Sequence, residues 1–425
     1  MKRILIWLAM GCWWLLAAQA QEPLSTYDLN KPFGWCMVDG TITGGEGGEE
    51  VLATTAEELF AALDKRNPDD RSKRDAKVII YVKGDIAVSE IHILHVQNKT
   101  ILGLPGSRIY SNNKDKSKGG IIKFSEDCEN IIMRNLTFEG PGSYDVDGGD
   151  ALALQGSLRI WIDHCDIRDG LDGNLDCTNG SNYVTITWTK FSYLKPPTAG
   201  GSGGANDHRF SNLWGSSDKN ADKDTGKLNT TFANCWWGYG VMERCPRVRF
   251  GKVHIINCYY SNTGNHYAIG YGYKSNIYAE KCWFEDGVIP SRDYTDAKHG
   301  YADYNFQMTD CHNVEDTKTA VGSGTYYNPD EYYSYEGFDV NLVPSVVGNE
   351  QTGAGANLMV EVGKGVTGYA SGETAVRAAS FDATATHSAS YFSLSGVRQS
   401  ALHRGLNIVR QQMSDGTVKT FKLVK

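Results

Sequence analysis

From Val78 onward, apolar and polar positions alternate in short runs closed by turn residues, and no long stretch keeps a helical period. Seven runs align by this pattern: IIMRNLTFEG from Ile131, IWIDHCDIRD from Ile160, VTITWTKFSY from Val184, TTFANCWWGY from Thr230, VHIINCYYSN from Val253, IYAEKCWFED from Ile277 and FQMTDCHNVE from Phe306. Their starts lie 29, 24, 46, 23, 24 and 29 residues apart. A period near 23 residues, with one doubled step, is that of a solenoid built coil by coil. Short extended runs without helices between them predict an all-β fold, a right-handed parallel β-helix. VIIYVKG from Val78 and KTILGLPG from Lys99 form its first coils. Only TTAEELFAALDKR reads as a helix, with Thr54 or Thr55 as cap, Glu57 or Glu58 three residues on, and an apolar face of Leu59, Phe60 and Leu63. It is expected to cap the N-terminal end.

The repeat also explains the cysteines. Cys165, Cys235, Cys258, Cys282 and Cys311 hold one position in five repeats, so they should stack as an interior ladder of small apolar thiols, with no disulfides required. Residues 348–380, rich in Gly, Ala, Thr and Ser, are expected to be a linker after a β-helix domain spanning 21–347. Alternation returns in 381–425, which is expected to form a small separate β module.

At the other end, Lys2 and Arg3 precede an apolar run, and Ala18-Gln19-Ala20 fits a cleavage site, so residues 1–20 read as a signal peptide. That run is short for a membrane span, and the protein is expected to be secreted and soluble. Cleavage takes the formal charge from −8 to −10. An acidic chain of this kind is a poor nucleic-acid binder, although a local basic cluster can still hold an anion.

Two stretches concentrate chemistry. Between Trp161 and Asp176 lie Asp163, Asp166, Asp169, Asp172, Asp176 and His164. Asp172 and Asp176 are four apart with Gly170 and Gly173 to turn the chain, and Asp150 precedes Asp176 by about one repeat. Three carboxylates converging from adjacent coils would make a hard-oxygen site suited to calcium. Downstream, Arg244, Arg247 and Arg249 open another coil. Guanidinium groups recognise carboxylates in a bidentate way, and together with calcium they suit an acidic polymer.

WIDHCD at 161–166, the Asp172 and Asp176 pair followed by GSNYVTITW, HRFSNLWGSSD at 208–218 and RCPRVRFGKVHIINCYY at 244–260 resemble the pectate lyases of polysaccharide lyase family 1. The N-terminal GGEGGE and TTAEELFAAL are similar as well, so the resemblance covers about residues 30–345. It implies that Asp150, Asp172 and Asp176 hold the catalytic calcium, that Arg244 removes the C5 proton of galacturonate, and that Arg249 binds the substrate carboxylate. Arg247 lies between them as a further substrate contact. Asp163 and His164 match a structural signature and are expected to be scaffold. The family's substrate-binding lysine has no direct counterpart, because PPTAGGSGGAND intervenes; either Lys195 or Arg209 fills that role. The substrate implied is polygalacturonate, with the chain acting as a monomer.

Three other readings compete. A β-helical galacturonan hydrolase would need paired acid and base carboxylates, and it leaves the arginines unexplained. A pectin lyase would be expected to lack the calcium carboxylates. A non-catalytic pectin-binding solenoid need not keep Arg244 beside an acidic site. The tail pattern YxLSGxR…GLNIV…VKTFKLVK is similar to C-terminal modules of exported Bacteroidetes proteins, which serve secretion or attachment; a structural cap is the alternative.

Overall fold

The structure, a computed structural model, describes residues 28–371 and the strands within 386–424. The expected signal peptide lies outside the described residues. Three long sheets wind around one core, and each coil passes through sheets A, B and C in turn. Sheet A has eleven strands from Glu49–Ala53 to Thr317–Val321, parallel throughout except for its last pair. Sheets B and C have eight each, from Asp85–Ala87 to Trp283–Phe284 and from His92–Leu94 to Ser291–Asp293. The fold is therefore the expected parallel β-helix. Helix α1 (Ala56–Leu63) starts in a full capping box between Thr55 and Glu58, and it buries Leu59, Ala62 and Leu63 against Val78 and Ile80 of the first coils.

The corner between sheets A and B shows why the repeat has its sequence. Asn135, His164, Trp188, Asn234, Asn257, Lys281 and Asp310 occupy it in successive coils, all with φ between 46° and 58°. This left-handed conformation turns the chain sharply, and after glycine Asn and Asp tolerate it best. The next residue points inward. There Cys165, Cys235, Cys258 and Cys282 are fully buried and Cys311 is half-buried, all as free thiols. Their thiols donate to backbone carbonyls, as Cys282 does to Glu280 O at 3.3 Å. Deeper in sheet B, the rings of Phe191, Trp237, Tyr260 and Phe284 stack from coil to coil at 5.4, 4.9 and 4.4 Å.

The stretch expected to be a linker from 348 is, as far as Tyr369, packed structure. Leu358–Glu361 and Gly365–Tyr369 pair as an antiparallel hairpin that buries Leu358, Val360 and Tyr369 with Tyr81 and Leu102 of sheet A. Asn135 clamps it: its side chain donates to Leu358 O at 2.8 Å and accepts from Leu358 N at 2.7 Å. Small residues dominate the composition here, yet a few alternating apolar positions suffice to seat the strands. Asn135→Ala leaves two buried backbone groups of Leu358 without partners, at about 1–3 kcal/mol each. Urea denaturation should show a loss of about 2–6 kcal/mol. Beyond residue 371, the strands Thr386–Phe392, Arg398–Gln399, Leu406–Met413 and Val418–Val424 form an antiparallel sheet of their own.

Candidate active site

Along sheet C, Leu152, Leu154, Leu175, Cys177, Trp214, Val248 and Ile269 face the core. The alternate positions therefore face outward, and the register aligns Lys123, Ala153, Asp176, Leu213, Arg247, Gly270 and Arg292 in one row along the axis. The turns between sheets B and C rise beside this row. They carry Asp150, Asp172, His208 and Arg244 on four successive coils.

Close packing in one turn brings the carboxylates together. A Cβ on Gly170 would lie 1.8 Å from Gly173 O, so only glycine fits there. A Cβ on Gly173 would lie 2.7 Å from Asp150 Oδ1 and 3.1 Å from Asp176 Oδ1; the two carboxylates thus converge over that glycine. Asp176 Oδ1 accepts from Leu213 N at 2.9 Å. Asp150 Oδ1 and Asp172 Oδ1 are buried with no hydrogen-bond partner among the described residues. Burial pushes the Asp176 carboxyl up to about 7, against the opposing pull of Arg244. Asp150 is raised by burial and then by Asp176 and Asp172; Asp172 is raised chiefly by burial. Three carboxylates, two of them with orphaned buried oxygens, offer oxygen donors of the kind that suits a hard divalent cation such as calcium.

Arg244 acts electrostatically on all three carboxylates. It sits at φ 61°, a strained conformation of the kind that gathers at functional sites. Its guanidinium lies 4.9 Å over the Phe210 ring, and its Nε is buried without a partner. Arg249, 8% exposed, donates from Nε to Asp218 at 2.8 Å and from Nη1 to Gly215 O at 2.7 Å, which explains the use of the GSSD turn. Arg247 lies 4.0 Å over the Tyr294 ring, and burial together with Arg249 lowers it to about 10.

Both candidates for the missing lysine are engaged within the protein. Lys195 donates to Glu139 at 2.8 Å and to Gly140 O at 2.6 Å. Burial opposes ionisation of Glu139, but hydrogen bonds from Lys195, Arg168 and Arg108 hold its carboxyl at about 2. Arg209 makes a bidentate pair with Asp207 at 2.7 and 2.5 Å. Of the two, Arg209 is flanked by residues that touch the site, His208 and Phe210.

Two residues escaped the sequence reading. His208, 7% exposed, lies between Asp172 Oδ1 and Asp145 Oδ1, 3.4 Å from each. Burial and the nearby Arg244 hold its imidazole below the usual range, and its ring packs, tilted, 4.1 Å from that of Phe210. Asp145, Asp172 and His208 are the one set of three such ligand atoms within 4.8 Å of one another among the described residues. Asp172 therefore leans toward His208, while Asp150 and Asp176 face each other. The signal was present in HRFSNLW and SYDVDGGD, where an isolated His and an extra Asp carry no spacing rule.

Asp163 and His164 lie elsewhere, on sheet A. Asp163 accepts from Arg134 at 2.8 Å and from Thr187 at 2.6 Å and contacts His164 at 2.9 Å, all deeply buried.

The pectate lyase family model matches residues 30–357. The chain belongs to the pectate lyase family. Among curated pectate lyases, a probable pectate lyase B of Aspergillus terreus is 35% identical over 267 residues, covering 58% of this chain and 70% of that one. Two further Aspergillus relatives, from A. flavus and A. oryzae, match over 61% of their own length, so the chain spans only part of them. A pectate trisaccharide-lyase of Thermotoga maritima is 31% identical, with 78% and 90% covered. A solved pectate lyase bound to a hexasaccharide shares the fold at a TM-score of 0.56 and 21% identity, covering 77% of this chain and 98% of that one.

Proposed function

We propose that this chain is a calcium-dependent pectate lyase that cleaves (1→4)-α-D-galacturonan by β-elimination, with Arg244 as the base. The observation that carries this reading is Arg244 acting on three neighbouring carboxylates, of which Asp150 and Asp176 converge over Gly173 and Asp150 and Asp172 have orphaned buried oxygens. Arg244 takes the C5 proton of a uronate, the electron pair forms the C4=C5 bond, and the C4–O bond breaks, with water protonating the departing oxygen. Asp150, Asp172 and Asp176 would hold the cation, which when bound supplies positive charge that acidifies the C5 proton. Arg249 keeps Nη2 free of its Asp218 and Gly215 bonds, and this group is suited to the substrate carboxylate. His208 braces Asp172, and Phe210 supports the Arg244 guanidinium from below. Export fits an enzyme whose substrate is a polymer outside the cell.

The test is ultraviolet absorbance of the unsaturated product on polygalacturonate, with and without a chelator. Calcium-dependent absorbance is expected. New reducing ends without it would indicate hydrolysis, and neither signal would leave a binding protein. Faster turnover of fully methyl-esterified pectin would favour a pectin lyase.

A further inference from the structure

Two arginines on the outward row of sheet C have no acidic partner. Among the described residues no ion pair reaches Arg247 or Arg292, although the chain carries 50 acidic side chains. They share one aromatic ring instead: the Tyr294 centroid is 4.0 Å from the Arg247 guanidinium and 6.0 Å from that of Arg292. Nearby acids are occupied. Asp293 accepts from the backbone and hydroxyl of Thr295, each at 2.7 Å. Glu243 holds His266 at 2.8 Å and the Tyr294 hydroxyl at 3.4 Å, which orients the ring. Arg247 Nε is buried and unpartnered, and two like charges flanking one ring repel each other. Gly270 stands between the arginines in register, where a Cβ would come 2.8 Å from the Tyr267 ring and 3.1 Å from Arg247 Cγ. Glycine there lets the Tyr267 ring and the Arg247 stem close over the strand.

We infer that Arg292 and Tyr294, with Arg247 of the catalytic coil at their near edge, form a distal subsite that binds the carboxylate of a second uronate along the row from the bond being cleaved. The inference rests on the lyase reading for the identity of the polymer. Adjacent strands are about 4.8 Å apart, so Arg292 stands roughly 10 Å along the axis from the coil that carries Arg244, Arg247 and Arg249. A uronate unit in an extended chain is close to one strand spacing in length. A uronate two units beyond the one on the Arg244 coil therefore reaches Arg292; a hexamer provides that unit, and a trimer cleaved between two of its units ends one unit short. Paired guanidinium groups hold such a carboxylate in two directions, with the Tyr294 ring fixing their planes.

The experiment compares kcat/KM on hexagalacturonate and trigalacturonate, with calcium, for the wild type, Arg292→Ala and Arg292→Glu. The hexamer-to-trimer ratio is expected to fall about tenfold in Arg292→Ala, mainly through KM, the scale of one charge-assisted contact. It should fall further in Arg292→Glu. Ratios within twofold of wild type in both variants would overturn the subsite. If the wild type cleaves neither oligomer, the lyase reading fails separately, and hexagalacturonate binding by calorimetry then decides. Weaker binding by Arg292→Glu supports the subsite, and equal binding refutes it.

Discussion

Arg244→Lys is expected to lower kcat on polygalacturonate by about 10²–10⁴-fold, the range for losing a positioned proton acceptor. Lysine keeps the positive charge that tempers Asp150, Asp172 and Asp176, so the fold and cation binding should survive. What it loses is the planar guanidinium lying over Phe210 at 4.9 Å and the placement that this stack fixes. KM should change much less than kcat, because Arg249 and the rest of the row still engage the polymer. A free guanidinium titrates above about 12, so the neutral base is scarce near neutrality and wild-type activity should climb toward alkaline pH. An Arg244→Lys enzyme with full kcat, or a flat wild-type profile from neutral to strongly alkaline pH, would refute the assignment.

Removing calcium is expected to abolish turnover and also to destabilise the protein, with the second effect depending on pH. Asp176 sits at about 7 in the folded chain, and Asp150 and Asp172 are also raised. An unfolded aspartate titrates near about 3.9, so between these values the folded state binds protons that the unfolded state does not. The stability those protons lend is present at low pH and is lost as pH rises through about 7. Cation binding replaces them. Calcium at a hundred times its dissociation constant should add about 2.7 kcal/mol. The thermal shift it causes should be larger at pH 8 than at pH 5, where it competes with protons. Asp176→Asn should remove most of the shift and most of the activity together. Equal shifts at both pH values, or a full shift in Asp176→Asn, would show that the cation binds elsewhere.

The fold was legible because the repeat is written three times over: in the period, in the thiol position and in the residue that precedes it. Asn135, Asn234 and Asn257 mark a corner that a short polar side chain tolerates, and the chain obeys that geometry even at Trp188 and Lys281. The hairpin at 358–369 was not legible. Its strands are four and five residues long, and what seats them is Asn135, more than two hundred residues away in sequence. At the site, spacing and motif together single out Asp150, Asp172, Asp176 and Arg244, and the structure puts Arg244 within electrostatic reach of all three carboxylates. His208 was not, because its meaning comes from two aspartates on other turns, and no local pattern records them. The ion pairs that occupy Lys195 and Arg209 were hidden for the same reason.

The register on either side of residues 193–212 has a practical consequence. Lys190–Ser192 and Leu213–Trp214 keep their places in sheets B and C however the chain travels between them, since each is fixed by strands above and below. Within that excursion the glycine-rich stretch 199–204 can be changed while the distance from Asp176 to Arg247 stays set by the sheet, whereas His208 and Phe210, which lie against Asp172 and Arg244, have to stay.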